Sequence, residues 1–82
     1  MIKKNSENWR IMRHLLNVGS LTAVDACKQD ISNNLRSRVP ELQDLGFDII
    51  AATVAGKQYC SYSIPLNKLE RNRNLFKEHT NA

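Results

Sequence analysis

The chain has 82 residues, of which 24% are charged, 41% hydrophobic and 6% aromatic, with a formal net charge of +4. A length of this order allows one domain with a single small core, which excludes a large catalytic cleft between domains. The apolar content excludes wholesale disorder, and the positive balance permits a polyanionic partner without requiring one.

The first periodic segment is Glu7 to Val18, with Ile11, Leu15 and Val18 on one stripe and Trp9, Met12 and Leu16 on a second beside it. Such a wide apolar face predicts an amphipathic helix, capped by Asn5 or Ser6 and ended by Gly19 in a left-handed conformation. Trp9 is expected in the core, and His14 at the surface or core edge. A short second helix is predicted over Ser20–Lys28, with Thr22 as N-cap and Asp25 in a capping-box-like place. Val24 and Cys27 are expected to face inward, and Leu21 to begin a hydrophobic staple. Gln29-Asp30-Ile31 then makes a tight connection.

A third helix is predicted from about 32 to 45, capped by Ser32, on the repeat of Leu35, Val39, Leu42 and Leu45, and ended by Gly46. Pro40 removes one backbone bond and clashes with the carbonyl of Arg36, so the helix is expected to kink there or to restart at the proline. The pattern then changes to strand-like runs, 47–54 and 58–64, around the turn Ala55-Gly56-Lys57. Cys60, Tyr62 and Ile64 alternate on one face of the second arm, which Pro65 ends. The polar, basic segment 67–82 is expected either to be disordered or to form a short amphipathic helix that docks on a partner subunit.

Charge is uneven along this order. Residues 1–19 hold Lys3, Lys4, Arg10 and Arg13 against Glu7, a net +3. Residues 20–66 hold four basic and five acidic side chains, a net −1, and residues 67–82 hold four and two, a net +2. The excess therefore lies at the two ends.

Three helices followed by a hairpin is an α+β order. Within it, Gly19-Ser20-Leu21-Thr22-Ala23-Val24-Asp25-Ala26 is followed by Leu35-Arg36-Ser37-Arg38-Val39-Pro40-Glu41-Leu42-Gln43-Asp44-Leu45-Gly46-Phe47-Asp48-Ile49. A Gly56-Lys57 turn and Tyr62-Ser63-Ile64 come after these. Over about residues 7–66 the sequence resembles the small winged helix-turn-helix DNA-binding proteins of bacteriophages and prophages. Pro40 departs from that pattern. The resemblance implies a winged domain over 1–66 with a basic tail or short helix over 67–82. It also implies a recognition helix in the major groove of double-stranded DNA, a wing around 54–58 on the backbone or minor groove, and a cytoplasmic location in a bacterial host.

The residues give a parallel argument. On a wheel centred on Leu35, Val39 and Leu42, the side chains of Asn33, Ser37 and Pro40 point away from the core, flanked by Arg36 and Asn34. Arg pairs two groups with guanine and Asn two with adenine, and recognition helices present their leading residues to base edges. Arg38 lies nearer the core edge, as a phosphate contact or an internal salt-bridge donor. Lys28 at the end of the second helix, and Lys57 and Gln58 in the wing, stand where they can touch the DNA backbone, and Lys3 and Lys4 would form an N-terminal arm. Arg36 and Arg38 at the start of the third helix, with Glu41 and Asp44 later, oppose the macrodipole preference, at about 0.3–1 kcal/mol per charge. A positive leading end facing a polyanion accounts for that arrangement.

Other chemistries find no support in the sequence. Cys27 and Cys60 form no CxxC motif and have no clustered histidines, so two buried, reduced thiols are expected. His14 and His79 lack partners at metal-ligand spacing, and no glycine-rich phosphate loop or nucleophile elbow occurs. No cofactor, metal or membrane partner is expected, and no enzymatic activity. Two functions remain: a duplex-binding regulator or an accessory factor in excision or replication, or a non-enzymatic interaction module. The module would dock a host or phage protein through the acidic half of the third helix or through the tail. A homodimer through the tail is compatible with either.

Overall fold

The computed structural model describes residues 2–56 and 60–80. Its elements run α1 (Glu7–Val18), β1 (Ser20–Thr22), α2 (Ala23–Lys28), α3 (Leu35–Asp44), β2 (Ile50–Thr53) and β3 (Cys60–Ser63). A 3-10 turn (Leu66–Lys68) then leads into α4 (Leu69–Thr80). The class is α+β: four α-helices on a three-stranded antiparallel sheet of order β1-β3-β2.

Local capping sets the first two helices. The Ser6 hydroxyl accepts from the Trp9 amide at 3.2 Å, and Gly19, at φ 105°, closes α1 by donating its N–H to the Leu15 carbonyl. Ile11, Met12, Leu15 and Leu16 are the buried face. The Thr22 hydroxyl caps α2 at the Asp25 amide, as expected. Inside α2, however, Ala26 is the buried residue, whereas Val24 and Cys27 are exposed. Six residues make less than two turns, so only one side chain reaches the core. The expectation of two buried thiols is also corrected, since Cys27 is exposed and Cys60 half-buried.

Strand β1 has no counterpart in the sequence reading, which takes Ser20–Thr22 only as the lead-in and N-cap of the second helix. Three residues are too few to show periodicity. Pairing to β3 holds them extended, with Leu21 opposite Tyr62. β2 pairs with the other edge of β3, with Ala51 opposite that same Tyr62. The hairpin is shorter than the apolar runs that predicted it: Phe47 and Ile49 are buried in the core, but in the approach to β2 rather than in a strand. Tyr62 and Ile64 face inward, with Cys60 half-buried beside them.

The third helix begins later than predicted, at Leu35, with Asn34 at the N-cap. Ser32 is not its cap. Its hydroxyl accepts from the Asn34 amide at 3.0 Å, two residues on, and donates to the Glu7 carboxylate at 2.9 Å. Pro40 lies inside α3, which continues through it to Asp44, so there is no restart at the proline. Leu35, Val39 and Leu42 fill the core side, while Leu45 is only partly covered.

Residues 69–80 form a helix that docks on this chain itself. Leu69, Leu75 and Phe76 pack against the core, and the Trp9 and Phe76 rings lie 6.5 Å apart. Asn72 is fully buried. Its side chain accepts from the Asp48 amide at 2.8 Å and donates to the Lys68 carbonyl at 2.7 Å and the Asp48 carboxylate at 2.9 Å. Arg71 adds bonds to the Gly46 carbonyl and to Asp48. The N-terminal segment is held here too, because Ile2 is buried and donates its N–H to the His79 carbonyl at 2.8 Å. Lys3 and Lys4 are therefore exposed side chains on an anchored segment rather than a free arm. No helix among the described residues is long and apolar enough to cross a membrane.

Candidate nucleic-acid interface

The face set out by the sequence is built by α2, the turn after it, and the first half of α3. Asp30, at φ 55°, turns the chain, and Ile31 is buried beneath the turn with its amide bonded to the Ala26 carbonyl at 2.8 Å. Burying Leu35, Val39 and Leu42 leaves Asn33, Asn34, Arg36, Ser37 and Pro40 exposed. Among the described residues, the side chains of Asn33, Asn34, Arg36 and Ser37 make no hydrogen bond or ion pair within the protein. Their polar groups are open to a ligand.

Arg38 behaves differently. Of its two expected roles it takes the internal one, pairing with Glu7 at 3.3 Å and with Glu41 at 3.2 Å. The charge of Glu41, then the hydrogen bond and charge of Glu7, hold the guanidinium charged. Glu7 in turn is held below its ordinary carboxylate range, chiefly by the Ser32 hydroxyl, against desolvation, with Arg38 and then Arg10 adding to the lowering. Asn8 reaches Glu41 at 3.5 Å, and Arg10 donates to the Ile31 carbonyl at 3.1 Å and the Asn5 carbonyl at 2.8 Å. These contacts clamp the start of α1, the turn and α3 into one unit.

The clamp was not foreseen from sequence. Its partners are 21 to 33 positions apart, so no spacing marks them. It also changes the charge argument. Glu7, brought by α1, supplies an anion near the start of α3 and accounts for Arg38, which leaves Arg36 as the cation that helix stability does not explain.

Lys28 ends α2, where a cation also complements the helix dipole, and α2 packs on α3. Its position thus has a structural cause besides any contact with a ligand. Lys57 and Gln58 lie outside the described residues. β2 and β3 bring the chain to that turn, with Ala55 and Gly56 exposed at its start.

α3 differs from the other helices in one respect. α1, α2 and α4 each carry an acid in the first turn, whereas α3 carries none and has no side-chain cap bond at its N-cap. Its leading end is thus electropositive as far as its own residues go. Among the described residues, no group of three or more His, Cys, Asp or Glu side chains is placed to hold a metal ion. No family model, curated protein or solved structure matches the chain.

Proposed function

We propose that this chain is a winged helix-turn-helix protein that binds double-stranded DNA, with the leading half of α3 in the major groove and the turn between β2 and β3 as the wing. The observation that carries the reading is the bare polar face of α3: Asn33, Asn34, Arg36 and Ser37 are exposed, unbonded among the described residues, and carried on a helix start without its own acid or side-chain cap. The element order supports it, since a short β1 pairs beside β3 and the β2–β3 hairpin follows α3. Arg36 offers two donors for a guanine edge, and the two asparagines can each pair with adenine. Lys28, Lys57 and Gln58 contribute backbone contacts around this helix, and Arg38 acts inside the protein, orienting α3 through Glu7. The roles that fit are those of the small phage proteins it resembles: transcriptional regulator, or accessory factor in excision or replication.

The test is a duplex titration by fluorescence anisotropy with the Arg36→Ala and Lys57→Ala double variant. Loss of the arginine contact alone is expected to weaken binding by roughly 5- to 150-fold, from about 1–3 kcal/mol per bidentate base contact. Each lost phosphate contact is expected to reduce the salt slope by about one. Retained affinity at matched salt, in a variant that melts like the parent, would sink the assignment of this face.

A further inference from the structure

The positive ends of the sequence meet in the fold. α1 packs on α4, and Arg10, Arg13, Arg73 and Lys77 line two grooves, one on each side of the outer ridge of α1. One groove, of about 420 Å³, runs between α1 and the turn at Gln29–Ile31, and the other, of about 180 Å³, runs between α1 and α4. None of these four cations is ion-paired among the described residues, whereas Arg38 and Arg71 are. Arg10 donates to the Ile31 and Asn5 carbonyls and Arg73 to the Leu16 carbonyl at 3.4 Å, while Arg13 and Lys77 make no hydrogen bond among the described residues. The one acid in the groove walls is Asp30, and Glu70 lies a turn earlier on the side of α4 that carries Arg73 and Lys77.

Both floors are carbon. Trp9 and Ile31 form one, and Leu16 and Phe76 the other. Arg13 is held over the Trp9 ring, 5.1 Å from its centroid, which keeps its charge at the rim shared by the two grooves. Val18, at the end of the ridge, is 66% exposed.

We infer that this face docks an acidic, amphipathic peptide segment of a partner protein, its carboxylates on Arg13, Arg73 and Lys77 and its apolar side chains in the two grooves. Charge complementarity selects the sign of the partner. The carbon floors select a peptide over a duplex, because phosphates reward the cations alone, whereas Leu or Phe side chains spaced along one helix face fill the grooves as well. The site uses no residue of α3, but its first groove borders the turn at Gln29–Ile31 that leads into that helix, so peptide and duplex affinities are measured separately.

The probe is a labelled synthetic peptide of about 14 residues, roughly 21 Å as a helix, with Glu and Asp on one face and Leu and Phe on the other. It is titrated with the full chain at about 50 mM salt, a condition that preserves surface electrostatics. Controls replace its apolar residues by Ser or its acids by Lys. The acidic amphipathic peptide is expected to bind at least tenfold more tightly than either control, a difference of about 1.4 kcal/mol. It should also change the emission of Trp9, the one tryptophan in the chain. Arg13→Gln with Lys77→Gln is expected to cost about tenfold, and Arg36→Ala less than about twofold. Asn17→Glu, an exposed residue on the wall of both grooves, provides a second variant that leaves the cations in place. Equal binding of the Ser control would overturn the inference, as would absence of peptide binding. So would a loss, in the Arg13/Lys77 variant, of duplex affinity with peptide affinity intact, which would make the face a nucleic-acid contact.

Discussion

Replacing Asn72 by leucine tests whether α4 belongs to the folded unit. The side chain is 0% exposed and joins α4 to the segment before β2, accepting from the Asp48 amide at 2.8 Å and donating to the Lys68 carbonyl at 2.7 Å. Leucine keeps the branched shape and removes both bonds to the backbone, together with the one to the Asp48 carboxylate. A backbone group left unsatisfied costs about 1–3 kcal/mol when buried, and these two are partly buried, so about 2–3 kcal/mol in all is expected. At about 4–8 °C per kcal/mol for a domain of this size, the melting temperature should fall by roughly 10–20 °C. The drop should occur in one cooperative transition, because α4 and the core would melt together. Circular dichroism melts together with urea titrations measure both quantities. A change below about 1 kcal/mol, or an early separate loss of α4 signal, would refute the reasoning: α4 would then be an appendage.

Two further perturbations bear on the same framework. Glu7 and Asp48 both sit below the ordinary carboxylate range, held there first by hydrogen bonds from Ser32 and Asn72 respectively. Because the folded values are the lower ones, the stability they contribute is complete above the unfolded values and is lost as pH falls through the folded ones. The urea midpoint should therefore decline as pH drops below about 4, and Glu7→Gln with Asp48→Asn should flatten that decline. An unchanged slope would contradict the assignment. Truncation after Leu66 removes the helix that covers Trp9 and bonds Ile2, so loss of cooperative melting is expected, and a shortened chain that melts like the parent would disprove it.

What the sequence revealed was what neighbouring residues decide. Ser6, Thr22 and Gly19 act within four positions of themselves: Ser6, one of the two caps expected for α1, Thr22 as the cap of α2 and Gly19 as the end of α1 are all found in place. The stripe of Leu35, Val39 and Leu42 likewise follows from the helical period, and with it the outward face carrying Arg36 and Ser37. Ser32 does not cap α3 because a good capping residue can as well bond two residues ahead, and its hydroxyl donates to a carboxylate 25 positions away. Arg38 could be narrowed only to two roles, since Glu7 lies 31 positions before it. α4 looked like a tail because its polarity is high, and its anchor is a buried asparagine that no hydrophobic pattern reveals. Of the candidate interface, the exposed face was legible and the clamp that fixes its orientation was not.

The most direct test of DNA binding through α3 is backbone amide mapping by NMR as a duplex is added to the labelled chain. The account predicts that the largest shift changes fall at residues 33–37 and at Lys28, with the core signals of α1 and α4 little moved. Changes centred instead on Arg13, Arg73 and Lys77 would contradict it and would place the polyanion on the opposite set of cations.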